Sequence, residues 1–158
     1  MRVKISIALF GLVAFALPVT GGATDVGGEA ARCVGQSPSD RASIAFFNGG
    51  ARNTGSSYVH LYCSTVRLTT SSPHTVNVDY FDASPDDSIS CEVDVMDWHS
   101  ATSFWSQTKS TGVSSTSHGH VAFSISSSAI GYVVINCTIP AVAVGSGNTS
   151  VIYGYNVQ

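Results

Sequence analysis

The ten residues from Gly131 to Pro140, GYVVINCTIP, alternate in the way that is typical of a half-buried β-strand. Apolar side chains occupy every second position from Val133 to Ile139, and Cys137 belongs to that apolar face. A second alternating segment, Ile89 to Asp97, also carries a cysteine, Cys91, on its apolar face. The pattern predicts two strands that share one core and are joined covalently.

The four cysteines, Cys33, Cys63, Cys91 and Cys137, indicate two disulfides in an oxidising compartment. Three pairings are possible, and we favour Cys33–Cys63 with Cys91–Cys137 because each bond then joins neighbouring segments. In the chain-entropy model, closed loops of about 30 and 46 residues would each contribute roughly 4 kcal/mol to stability. The sequence has no Cys-x-x-Cys pair and no cysteine–histidine cluster at zinc spacing, so a metal or redox role is not expected.

Residues 1–23 have the layout of a secretory signal peptide. Arg2 and Lys4 precede an apolar run from Ile5 to Leu17, and small residues precede a cleavage site after Ala23. The apolar run is shorter than the roughly 20 residues that a membrane-spanning helix needs. We therefore predict a secreted or periplasmic protein without membrane insertion after cleavage. An uncleaved membrane anchor is the alternative.

The predicted mature chain is acidic. Loss of Arg2 and Lys4 leaves five basic residues against ten acidic ones, a net charge of about −5 with histidine neutral. The basic residues are scattered, and Lys109 is the only lysine among them. Nucleic acid and anionic membranes are therefore not expected as partners, because both bind clustered Lys and Arg.

The remaining chain is predicted to be a loose leader over residues 24–40, tied down by Cys33, and a single domain over residues 41–158. Short alternating segments rich in β-branched and aromatic residues, separated by Gly, Ser, Thr and Pro, predict an all-β fold. We expect an antiparallel β-sandwich of about seven or eight strands with Ig-like or jelly-roll topology.

Three local expectations follow from the alternation. Residues 75–82 and 89–97 are predicted to pair as a hairpin through the polar connection 83–88. Residues 98–119 are expected to be a poorly formed strand or a long loop. The last strand, residues 150–157, is predicted to place one set of alternating side chains on a single face: Val151, Tyr153, Tyr155 and Val157.

The chain resembles a loose group of small exported bacterial β-sandwich proteins with two disulfides and no assigned activity. The matching motifs are Tyr62–Arg67 (YCSTVR), Val76–Val78 (VNV), Ser90–Val93 (SCEV), Gly131–Pro140 and Ser150–Val157 (SVIYGYNV). The group often has proline right after the second cysteine, whereas this chain has Ser64. The resemblance implies the fold and the compartment and supplies no catalytic residues.

Two sets of residues are weak metal candidates, although no cofactor is predicted. Asp82, Asp86 and Asp87 could offer oxygen ligands to Ca²⁺, but they lack EF-hand spacing and suit a solvated turn equally well. His118 and His120 would face the same side if Gly119 lay in a strand, and could then chelate a transition metal. The surrounding serines favour a loop instead.

A hydrolase is a further hypothesis, carried by Glu92, Asp94 and His99, because carboxylates near a histidine can act as general acid and base. Alternation nevertheless directs Glu92 and Asp94 toward solvent, where a one-sided sheet keeps its charges. No catalytic residue is therefore assigned.

Aromatic side chains are the main binding candidates. They fall opposite the predicted core faces or in a loop, where they could stack on sugar rings, form a protein interface or cap the core. These residues are Tyr58, Tyr62, Phe81, Trp98, Phe104 and Trp105. The leading hypothesis is a non-enzymatic exported sandwich that binds a glycan or a protein. The alternative is a pilin- or coat-like subunit that adds its last strand to a neighbour.

Overall fold

A computed structural model describes residues 26–68, 73–97, 99–100, 102–112, 117–126, 131–142 and 149–158. The predicted signal peptide and Trp98 lie outside these residues. The eleven strands are β1 (Val26–Glu29), β2 (Val34–Gly35), β3 (Ile44–Phe47), β4 (Gly50–Asn53), β5 (Val59–Leu68), β6 (His74–Asp82), β7 (Ser90–Met96), β8 (Ser103–Ser110), β9 (Ser117–Ile125), β10 (Gly131–Ile139) and β11 (Val151–Val157). A 3-10 turn over Ala30–Arg32 and a short helix α1, Pro38–Ala42, complete the elements.

The strands form two antiparallel sheets, which confirms the predicted all-β sandwich with more strands than expected. The six-stranded sheet has the order β3-β4-β11-β6-β9, and β1 pairs with β11 beside β4. The five-stranded sheet has the order β2-β5-β10-β7-β8. The buried side chains of both sheets form one hydrophobic cluster. Among the described residues, no helix is long and apolar enough to span a membrane.

Strand β10 is the centre of the five-stranded sheet. It pairs with β5 on one side and with β7 on the other, and its predicted apolar face is buried. Cys137 lies directly opposite Cys91 in the register of β10 and β7, and a disulfide joins them. The second disulfide joins Cys33 to Cys63. Both favoured pairings are confirmed.

The predicted hairpin between β6 and β7 is wrong, because the two strands lie in different sheets. The connection from Ala83 to Ile89 crosses the sandwich instead of turning at its surface. The carboxylate of Asp82, at the start of this crossing, accepts hydrogen bonds from the backbone N–H groups of Ser84 and Ile89. The bond to Ser84 is a local Asx turn, whereas the bond to Ile89 spans seven residues and holds the end of the crossing against the same carboxylate.

The described part of the predicted leader, residues 26–40, is built into the sandwich rather than loose. It contains β1 and β2, and Ser37 caps helix α1. The segment predicted as a poor strand or loop likewise contains regular structure: β8 and the start of β9. Lys109 of β8 links the two sheets, because its ammonium donates to the backbone carbonyl of Ala122 on β9.

Strand β11 departs from the predicted alternation at a β-bulge. Its register with β6 shifts between Ile152 and Gly154, so Tyr153 is an extra residue. Ile152, Tyr155 and Val157 therefore face the core, whereas Val151 is half-buried and Tyr153 is exposed. The expectation that Val151 and Tyr153 share a face with Tyr155 and Val157 is wrong.

Candidate functional site

Four side chains form a row across the outer face of the six-stranded sheet. Arg52 of β4 is opposite Val151 of β11, Val151 is opposite Phe81 of β6, and Phe81 is opposite His118 of β9. Directly opposed residues share a face of the sheet, and neighbouring strands are about 4.8 Å apart. The row therefore spans about 15 Å and runs perpendicular to the strands.

Aromatic rings are gathered at one end of this row. The ring centroids of Phe81 and His118 are 4.7 Å apart, and those of His118 and Tyr153 are 5.7 Å apart. The last two rings are close to parallel, with an interplanar angle of 16°. Tyr153 joins this group because of the bulge in β11. Phe81, His118 and Tyr153 thus form a partly exposed apolar surface.

A groove of about 280 Å³ lies on this face, and we call it the aromatic groove. Its lining residues are Phe47, Asn48, Gly50, Arg52, Phe81, Thr149, Val151 and Tyr153. Gly50 keeps the groove open, because a Cβ atom there would lie 2.7 Å from Cγ1 of Val151 and 3.2 Å from Cδ1 of Tyr153. The lining combines apolar rings with amide, hydroxyl and guanidinium donors, as sites for small polar ligands do.

Arg52 gives the aromatic groove its positive charge. The Cζ atom of its guanidinium is 5.5 Å from the ring centroid of Phe47, in cation–π contact. The Nε atom is buried and, among the described residues, has no hydrogen-bond acceptor. None of the described residues that line the groove is acidic. The guanidinium is therefore oriented by an aromatic ring and not by a carboxylate.

The outer face of the five-stranded sheet has a second, polar groove of about 270 Å³. Two pairs of its side chains are hydrogen-bonded. Nε2 of Gln36 donates to Oδ1 of Asn136, and Nδ1 of His60 is 3.0 Å from Oγ1 of Thr138. None of the described residues that line this groove has an aromatic carbocycle. Several of its polar groups already have partners, so the aromatic groove is the better candidate for a ligand.

The predicted binding aromatics do not share one surface. Tyr58 directly precedes β5 and donates to Oδ1 of Asp87 at 2.6 Å, a bond that raises the pKa of the phenol. Tyr62 lies on the outer face of the five-stranded sheet, and Phe81 on that of the six-stranded sheet. In β8, Phe104 is exposed, whereas Trp105 packs against the core. Of the described candidates, only Phe81 lines the aromatic groove.

The aspartates proposed for Ca²⁺ are not gathered into a site. Asp82 is fully buried and accepts hydrogen bonds from the hydroxyls of Ser150 and Thr111, so it is a structural carboxylate and not part of a solvated turn. Asp86 is exposed, and Asp87 accepts the bond from Tyr58. No cluster of three potential metal ligands occurs among the described residues.

His118 and His120 lie in strand β9, so the expectation of a loop is wrong. Both side chains are exposed on the same face, as the condition for chelation required. The ring of His118 packs against the rings of Phe81 and Tyr153, whereas His120 is opposite Asp79 of β6. The described contacts of His118 are thus those of an aromatic side chain.

The residues of the hydrolase hypothesis are also separate. Glu92 and Asp94 lie on the outer face of β7 and accept bonds from Ser106 and Ser103. His99 follows the strand, where its backbone N–H and that of Ser100 hold the pKa of Asp97 below its usual value. Of the three proposed catalytic residues, Glu92 alone lines the polar groove. Neither of the two grooves therefore gathers the three residues.

Sequence reasoning missed most of the aromatic groove. It placed Tyr153 on the same face as Tyr155 and Val157, and it did not single out Phe47, Arg52 or Val151 as binding residues. Gly154 is the signal that could have revealed the bulge, because glycine inside a strand often marks one. Arg52 and Phe47 gave no such signal, because β3 and β4 are too short for a clear alternation.

No protein-family model and no curated protein matches this chain. Among solved structures, a Gap123 glycosylation-associated protein complex from Streptococcus agalactiae is similar, with a TM-score of 0.58 and 8% identity over 84% of this chain and 25% of that one. The enzymatically active domain of tailspike protein 4 of bacteriophage CBA120 is similar at a TM-score of 0.50 and 9% identity, over 69% of this chain and 15% of that one.

A low-affinity xylan-binding module from Roseburia intestinalis also matches, at a TM-score of 0.46 and 9% identity over 85% of this chain and 94% of the module. The chain spans no more than a quarter of the two structures with the higher TM-scores. At these identities, the likeness to those two is one of fold, and it supports the β-sandwich assignment.

Proposed function

We propose that this protein is a non-enzymatic glycan-binding sandwich whose ligand lies in the aromatic groove. The observation that carries the proposal is the register-matched row from Arg52 to His118, together with the Phe81, His118 and Tyr153 rings. Sugar rings have apolar C–H faces and polar edges. A surface with aromatic rings beside amide, hydroxyl and guanidinium donors complements both.

The size of the groove suits an extended ligand. Its volume of about 280 Å³ is enough for part of a single narrow chain. The row crosses four strands, which gives a saccharide chain successive contacts along its length. The two disulfides are consistent with an oxidising compartment outside the cytoplasm, where extracellular polysaccharides occur.

The pilin-like alternative loses its support from the last strand. Strand β11 is paired along both edges, with β6 on one side and with β1 and β4 on the other. A strand in this position has no free backbone edge with which to join a neighbouring molecule.

The test is binding to a panel of soluble plant, bacterial and animal polysaccharides, measured by affinity electrophoresis and then by calorimetry. Tyr153→Ala should weaken binding by about tenfold, because it removes an exposed ring from the groove. Tyr62→Ala is a matched control: the two tyrosines are 38% and 37% exposed, but Tyr62 lies on the opposite sheet. The proposal fails if no polysaccharide binds, or if both variants lose affinity equally.

A further inference from the structure

We infer that the aromatic groove selects acidic polysaccharides, and that Arg52 is the residue that recognises their carboxylates. This inference rests on the proposed function of the same groove and adds the chemical class of the ligand. Its starting point is a contrast of charge: the predicted mature chain carries about five more negative than positive charges, yet the one charged side chain among the described residues that line this groove is a cation.

The guanidinium N–H groups of Arg52 have no acceptor among the described residues. Of the described residues, none supplies a carboxylate partner, and the buried Nε–H has no acceptor. The Nε–H is itself buried, so the donors that a ligand would reach are the terminal N–H groups of this half-buried side chain. A carboxylate is well suited, because its two oxygens can accept two parallel bonds from one guanidinium.

The contact with Phe47 supports the same role. It holds the guanidinium 5.5 Å from the ring centroid without consuming a donor, so the planar group is oriented before the ligand arrives. Arg52 is also opposite Val151, next to the aromatic rings in the row. A uronic acid residue could therefore place its carboxylate on Arg52 while the chain continues over Tyr153 and Phe81.

The experiment compares polygalacturonate, alginate, hyaluronan and glucuronoxylan with the same four polymers after chemical reduction of their carboxyl groups. We expect at least one native polymer to bind the protein about tenfold or more tightly than its reduced form. Arg52→Gln should abolish that difference, and Arg52→Lys should restore only part of it, because an ammonium lacks the planar fork. Higher salt should reduce the preference.

Arg32→Gln is the control for net charge, since it removes one positive charge from the 3-10 turn, outside the groove. It should leave the preference intact. Thermal melting of each variant identifies loss of fold. Equal binding of native and reduced polymers, or an unchanged preference in Arg52→Gln, would overturn the inference and leave glycan binding standing. No binding to any polymer, native or reduced, would overturn both.

Discussion

Phe81 and His118 face each other across strands β6 and β9, with ring centroids 4.7 Å apart, on the outer face of the six-stranded sheet. Their contact is a cross-strand aromatic pair, which stabilises a sheet and also gives its surface a ring-shaped apolar area. Tyr153 extends this area from β11 because a bulge turns it outward. The bulge in β11 thus adds a third ring to the aromatic surface that Phe81 and His118 form.

Replacing Phe81 with leucine tests whether the groove needs an aromatic ring and not merely apolar area. Phe81→Leu should weaken glycan binding by about threefold to tenfold, while the free energy of unfolding changes by less than about 1.5 kcal/mol. Calorimetric titration and urea unfolding measure the two effects. Phe104→Leu is the control, because Phe104 is exposed on β8, outside the groove. Unchanged affinity in Phe81→Leu would contradict the stacking role.

Asp82 should be among the most sensitive positions for stability. Its carboxylate is fully buried and accepts bonds from two hydroxyls and two backbone N–H groups. Asp82→Ala removes an acceptor from all four donors, of which the Ile89 N–H keeps the Thr111 hydroxyl as a partner, and should cost about 3 kcal/mol or more in urea unfolding. Asp86→Ala, in the same connection but exposed, should change stability by less than about 0.5 kcal/mol. Similar costs for both variants would refute the structural role.

The carboxylate of Asp40 should make part of the free energy of unfolding depend on pH. Its carboxylate accepts bonds from the Ser37 hydroxyl, which chiefly lowers its pKa below the ordinary value of 3.8, and from the backbone N–H groups of His60 and Ser37. Because the native pKa is lowered, the stabilisation is fully present above the unfolded pKa and is lost as pH falls through the native one.

Asp40→Ala should therefore cost about 1 kcal/mol at pH 7, the usual value of a capping interaction, and less near pH 3. Chemical unfolding of both proteins between pH 3 and pH 7 measures the difference. Asp86→Ala, which removes an exposed carboxylate outside this network, is the control. A cost that stays constant over this range would show that the charge of Asp40 does not contribute.

Replacing Trp105 and Phe104 compares the stability contributed by a packed aromatic side chain with that contributed by an exposed one. Trp105 packs partly buried against the core, and Phe104 beside it is 49% exposed. Trp105→Ala should lower stability by about 2 kcal/mol, somewhat less than for a fully buried aromatic residue, and Phe104→Ala by about 0.5 kcal/mol or less. Thermal and urea unfolding of the two variants provide the comparison. Equal stability of both would show that Trp105 contributes little to the core.

The alternating patterns predicted the sandwich and both disulfides because burial repeats every two residues in a strand. Cys91 and Cys137 could be paired from sequence because each lies on the apolar face of a strong pattern. Alternation gave the wrong face for Tyr153, because one inserted residue in β11 reverses which side chains point to the core. Sequence reasoning also failed for β6 and β7, since nearness along the chain favours a hairpin whereas the structure separates them into two sheets.

The sequence by itself determined which side chains are apolar, how they alternate and which cysteines can meet, because these depend on local periodicity and composition. Tertiary structure alone decided that Arg52, Val151, Phe81 and His118 form one row. These residues come from four strands separated by up to 99 positions, and their alignment depends on strand order and register. Those quantities arise from long-range pairing, and no local pattern in the chain encodes them.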